Sequence, residues 1–203
     1  MSSENMEVEP KTGVAFPVKL ADGKQLHATG LRKKKIVGVD VNMYAFGIYA
    51  DNAKLKEILT AEISKAPKEP TKELYEIVIN NDIPMVVRMV IIFKHLTIRM
   101  VKKNFEESLA VIVKKLSGEK NEELVSKVWE GANTDGIKLS AGSIIEISRL
   151  PGHIYQTKFN DEVVSEVESE LLCRAFFVQY FGEEPFDEEA KQKFGQSALS
   201  LLV

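Results

Sequence analysis

The sequence predicts an α+β fold, a largely antiparallel sheet with helices packed on one side. Three observations predict it. Strand-length apolar segments, helical periodicities, strands and helices follow one another in that order along the chain. Turn signals at Asp22-Gly23 and Leu150-Pro151-Gly152 join neighbouring apolar segments, the mark of hairpins rather than long crossovers. Met85 to Phe93 is apolar on both parities, as a strand buried on both faces must be.

The elements follow in order. Met1 to Lys11 is polar and acidic with no hydrophobic segment, so it is neither a secretory signal nor an arginine-rich transit peptide. It reads as a disordered tail ahead of a single domain over residues 12–203. Val14 to Leu20 and Gln25 to Ala28 flank the Asp-Gly turn as a hairpin. Ile36 to Tyr49 is rich in Val, Ile, Tyr and Phe and reads as two strands that reverse near Gly38. Asp51 caps a helix through Leu55, Ile58, Leu59 and Ile63, which Pro67 and Pro70 end. A second helix runs from Thr71 to about Ile79, and Pro84 opens the central strand.

Ile98, Val101, Phe105, Leu109, Ile112 and Leu116 step at helical spacing, and Gly118 ends that amphipathic helix. Asn121 to Trp129 is a helix leading to an Asp135-Gly136 turn. Ser143 to Ser148 and His153 to Phe159 form the second hairpin. Asn160 or Asp161 then starts a helix through Val164, Val167, Leu171, Ala175 and Val178 to Gly182, and Asp187 caps a last helix containing Ala190, Phe194 and Leu201. No internal repeat or linker divides the chain.

Composition narrows the function. Across 203 residues, 44% are hydrophobic, enough for a substantial core, and the net charge of −3 argues against nucleic acid. Cys173 is the single cysteine, which rules out an intrachain disulfide. The longest apolar run, Met89 to Phe93, is far below the ~20 residues that span a bilayer, so a soluble, intracellular protein is expected. Phosphate loops, zincin and nucleophile-elbow motifs are absent, and His27, His95 and His153 fall in separate elements, so neither metal nor cofactor is expected. The adjacent carboxylates Glu106-Glu107 and Asp187-Glu188-Glu189 point in different directions from their helices and do not form an acid/base pair.

The run Arg32-Lys33-Lys34-Lys35 reads either as a solvated basic face or as the rim of an anion-attracting pocket. Along one continuous strand Arg32 and Tyr44 would stand roughly 40 Å apart. A reversal centred on Gly38 instead pairs positions summing to 76, which sets Arg32 opposite Tyr44 on one face, with Phe46 and Ile48 continuing an apolar stripe. An arginine fork beside a hydroxyl suits a carboxylate or phenolate. An edge arginine stacked on a tyrosine is the alternative.

The segment from Gly30 to Tyr49, with its arginine ahead of the strand and its Tyr44, Ala45, Gly47, Tyr49 pattern, resembles the chalcone isomerase fold family. Ser140-Ala-Gly-Ser-Ile144 and Gln179-Tyr-Phe-Gly182 extend the resemblance over about residues 14–200. It implies an open-faced β-sandwich, a large antiparallel sheet covered by a layer of α-helices, with a ligand cleft between them. The family contains plant and bacterial isomerases that close chalcones to flavanones, and non-catalytic members that bind fatty acids or assist flavonoid synthesis.

Arg32 matches the arginine that holds the ligand anion in both groups. The other enzyme positions depart. Tyr44 stands where isomerases have threonine, as in the fatty-acid binders, while Met100, Glu107 and Gln179 stand where isomerases have tyrosine, asparagine and threonine or serine. Cyclisation needs donors for the charge developing on the carbonyl oxygen. Met100 cannot donate, and Glu107 would oppose that charge. The resemblance is thus closest to the fatty-acid binders, with Arg32 and Tyr44 on the carboxylate and Phe46, Ile48, Met100 and Val101 along the cleft. A weak chalcone isomerase, or an inferred precursor of one, is the second reading. Partners implied by the family are a fatty acid or flavonoid-like molecule and enzymes of those pathways. Its fatty-acid binders suggest a plastid; without a transit peptide the alternative is cytoplasm.

Overall fold

A computed structural model describes residues 5–131, 137 and 139–203. The expected turn at Asp135-Gly136 lies outside them. Among these residues eight strands and six α-helices follow one another, beginning with β1 (Met6–Val8), β2 (Ala15–Pro17), β3 (Gln25–Ile36), β4 (Val39–Ala50), α1 (Asn52–Glu62), α2 (Lys72–Asn80) and β5 (Met85–Ile91). Then come α3 (Ile98–Ser117), α4 (Glu122–Ser126), a 3-10 turn at Lys127–Trp129, β6 (Ile144–Leu150), β7 (Ile154–Phe159), β8 (Glu162–Glu168), α5 (Glu170–Phe181) and α6 (Glu188–Ser200).

Strands β3 to β8 form one antiparallel sheet in sequence order; short turns join β3 to β4, β6 to β7 and β7 to β8, whereas α1 and α2 connect β4 to β5, and α3 and α4 connect β5 to β6. Each α-helix opens on a side-chain cap, from Asp51, Thr71, Thr97, Asn121, Ser169 and Asp187 in turn. Gly118 ends α3 in the left-handed region at φ 88°. Strand pairing puts Phe46 and Ile48 of β4, Val87 and Met89 of β5, and Ile145 and Ile147 of β6 on one face, where they form a core with α3 and α5. Helix α6 lies over β3 so closely that a Cβ on Gly30 would sit 2.5 Å from the Phe46 ring and 2.7 Å from Ala190. On the opposite face, Phe16 of β2 packs at Gly47 and the Tyr49 hydroxyl donates to Pro17 O.

Arg149 secures the helical layer to the sheet. It is 1% exposed, and its guanidinium donates to the carbonyls of Val78, Ile79 and Ile83 at 3.1 Å or less while stacking on Phe177. Two of those carbonyls belong to the last turn of α2, which has no intrahelical partners to offer them. Burial pushes the guanidinium pKa down to about 10.

Two expectations are corrected. Residues 6–8 are a strand paired with β2 rather than part of a disordered tail; the chain between them turns on Glu9, 2% exposed, whose carboxylate accepts from Thr12 N and Oγ1. The helix expected from Asn160 starts only at Glu170. Asn160 and Asp161 both adopt positive φ, 44° and 69°, which makes a tight hairpin turn, and the β-branched Val163, Val164 and Val167 continue as β8 against β7.

Candidate functional site

A cavity of about 280 Å³ opens between the sheet, α3 and α5 at the β3–β4 end. Met43, Tyr44, Met89, Ile91 and Ile145 form its floor. Val101, Phe105 and Val111 of α3 and Phe176 of α5 form its walls. Its polar groups are few: Arg32, Lys34, Asn104, Glu107, Ser108, Gln179 and the hydroxyls of Tyr44 and Tyr180. An apolar chamber with a small number of placed polar groups is the usual make-up of a small-molecule site.

Backbone register brings the charged end together. Arg32 faces Tyr44 across β3 and β4, the expected pair. The turn itself is Val37-Gly38, with Ile36 opposite Val39, so the first pairs of the hairpin sum to 75 rather than 76. A bulge at Arg32/Lys33 leaves Met43 as the extra residue on β4 and restores the expected pairing. It also lets both Met43 and Tyr44 line the cavity.

The Arg32 guanidinium lies 3.8 Å over the Phe186 ring and donates to Lys33 O at 2.9 Å. No carboxylate among the described residues pairs with it. The Tyr44 and Tyr180 hydroxyls are hydrogen-bonded to each other at 3.2 Å. Burial raises both phenol pKa values, and the nearby Arg32 charge opposes the rise, so both hydroxyls are neutral donors at ordinary pH. Lys34 Nζ donates to Asn104 Oδ1, tying the basic strand to α3. Gln179 is 5% exposed and its amide nitrogen has no partner among the described residues, although it lines the cavity.

Of the residues picked out in the sequence, Arg32, Tyr44, Val101, Glu107 and Gln179 meet at this cavity. Phe46 and Ile48 do not line it. They are fully buried beneath it, with Phe46 packed edge-on against Tyr44 and Tyr180. Met100 lies outside the lining at 42% exposed, because the stripe of α3 that faces inward runs through Val101, Asn104, Phe105 and Ser108. Sequence reasoning did not single out Tyr180 or Phe186. Tyr180 was findable, since it falls one turn after Phe176 on the buried face of α5; Phe186 sits in the α5–α6 connection, where no periodicity marks it.

A family model described as chalcone isomerase-like matches residues 12–194. The chain is 50% identical over 204 residues to chalcone isomerase-like protein 1 of Humulus lupulus, covering 99% of this chain and 95% of that one. It is 35% identical over 198 residues to fatty-acid-binding protein 1 of Arabidopsis thaliana, covering 96% and 71% respectively. The crystal structure of an Arabidopsis thaliana fatty-acid-binding protein is similar at a TM-score of 0.90 and 34% identity, over 98% of this chain and 99% of that chain. With its six-stranded antiparallel sheet, its helical layer and these matches, the chain belongs to the chalcone isomerase-like family.

Proposed function

We propose that the protein binds long-chain fatty acids without transforming them, with the carboxylate on Arg32 and Tyr44 and the chain in the apolar cavity. The observation that carries this reading is the Arg32 guanidinium, free of any carboxylate among the described residues, at the margin of a cavity whose floor and walls are aliphatic and aromatic. One of its five N–H groups is used by Lys33 O, which leaves a fork for a bidentate anion. Tyr44 or Tyr180 supplies a neutral donor beside it. The fatty-acid-binding relatives support the ligand class.

The same geometry weighs against cyclising a chalcone. Met100 is outside the cavity and could donate nothing if it were inside, and Glu107 lines it as a carboxylate, which disfavours an oxyanion. Val101 and Gln179 contact the ligand in this reading, and Gln179 would hydrogen-bond it with its unpartnered amide. Mass spectrometry of small molecules extracted from the purified protein tests the proposal. A straight-chain acid is expected; a retained chalcone or flavanone, together with stopped-flow cyclisation of a trihydroxychalcone faster than in buffer, would favour the isomerase reading instead.

A further inference from the structure

The hairpin that carries Arg32 ends in a tip that defies both solvation and backbone preference. Its turn residues, Val37 and Gly38, have φ of 50° and 77°. Such turns ordinarily take Asn, Asp or Gly, and a β-branched residue in the left-handed region is strained. Val37 is also 98% exposed, and beside it Val39 and Ile36 are 64% and 38% exposed. Three aliphatic side chains are therefore exposed at one hairpin turn, one of them in a conformation that disfavours it. Strain at an exposed site points to function rather than to folding.

Charge singles out what would cover them. Lys33, Lys34 and Lys35 lead into the tip along β3, and Asp40, opposite Lys35, is the sole carboxylate between Arg32 and Asn42. This local excess of cations stands on a chain whose net charge is −3. Exposed aliphatics beside a run of lysines are the composition of an element that rests in the boundary of an anionic bilayer, the apolar groups among the acyl chains and the ammonium groups at the headgroups. The tip is continuous with the cavity, since Arg32 and Lys34 line it. No helix among the described residues is long and apolar enough to cross a membrane, so the contact is peripheral.

We propose that the β3–β4 tip docks the protein on anionic lipid surfaces by inserting Val37, Val39 and Ile36, which holds the cavity mouth against a source of acyl chains. The purpose of the docking rests on the fatty-acid reading; the docking does not. An acidic protein surface would satisfy the lysines but would leave Val37 unexplained.

The test uses the full chain with phosphatidylcholine vesicles, with and without phosphatidylglycerol, followed by co-sedimentation. The wild type is expected to sediment more strongly with the anionic vesicles. Val37→Asn with Val39→Thr is expected to weaken partitioning about tenfold, because aliphatic area is lost from the interface. Its melting temperature should be equal or higher, since Asn suits the turn, and its laurate affinity in vesicle-free solution unchanged. Lys33→Gln with Lys35→Gln should remove the preference for anionic vesicles. Failure of the wild type to sediment with either vesicle, or undiminished partitioning of the valine variant, overturns the proposal. A tip that captures only acidic proteins overturns it too. Vesicle binding through the tip in a protein that takes up no laurate would leave the docking standing and sink the fatty-acid reading.

Discussion

Arg32→Ala removes the cation on which the binding proposal turns, and the structure bounds its effect. The guanidinium is fixed by its stacking on Phe186 at 3.8 Å and by one bond to Lys33 O, so its remaining donors are already oriented before a ligand arrives. A hydrogen bond between charged groups contributes about 1.5–3 kcal/mol. Arg32 is only partly buried, so solvent and salt reduce a two-bond contact toward the middle of that range. A loss of about 2–3 kcal/mol corresponds to laurate binding about 30- to 150-fold weaker. Folding should be nearly untouched, because a partly exposed cation–π contact contributes only about 0.5–1 kcal/mol. Arg32→Lys keeps the charge but loses the planar fork and should fall between the two. Isothermal titration calorimetry with laurate, alongside thermal melts, makes the comparison. Affinity within about threefold of wild type in a fully folded Arg32→Ala would refute the reasoning.

Tyr44→Phe should weaken laurate binding by about 0.5–1.5 kcal/mol, less than the arginine change, since a neutral donor is removed and Tyr180 remains beside it. Arg149→Met should cost about 3 kcal/mol of stability in urea unfolding, because it strands the carbonyls of Val78, Ile79 and Ile83 in the core; a loss under about 1 kcal/mol would mean those carbonyls find other partners. Burial lowers the His27 pKa, against the opposing pull of the hydrogen bond to Asn52 Oδ1, while the other ring nitrogen meets Ser197 Oγ. The unfolded chain therefore binds the proton more readily. Stability is complete above the ordinary histidine pKa of about 6.5 and falls below it by at most about 1.4 kcal/mol per pH unit. His27→Gln should flatten that acid flank in melts taken across pH, and an unchanged slope would assign it to other groups. At the alkaline end the buried phenols of Tyr44, Tyr155 and Tyr180, all raised by burial, should make stability fall once the pH passes about 10.

Much of this architecture was legible because caps, turns and periodicity coincide. Asp51, Thr71 and Asp187 begin helices where their side chains can satisfy the first-turn N–H groups, and Gly118 ends one where only a left-handed residue fits. β8 was not legible, because Val164, Val167 and Leu171 happen to keep a helical spacing across the junction between a strand and α5; the Asn160-Asp161 turn and the Ser169 cap were the stronger signals. A reversal centred on Gly38 pairs Arg32 with Tyr44 although the turn lies half a residue away, since the bulge at Met43 makes up the difference. Cavity walls were less accessible. Parity along β4 finds the face of Phe46 and Ile48 but not how deep α5 covers it, and Phe186 reaches Arg32 from a connection with no pattern at all. The tip at Val37 is plain in the sequence as an apolar residue beside glycine; its near-complete exposure and positive φ are visible only in three dimensions.

The most direct test of the central claim is a calorimetric comparison of palmitate with hexadecanol, which share the chain and differ in the head group. The account predicts saturable binding of the acid and at least about tenfold weaker binding of the alcohol, a difference that disappears in Arg32→Ala. Equal affinity for the two, or no binding of palmitate, would contradict it.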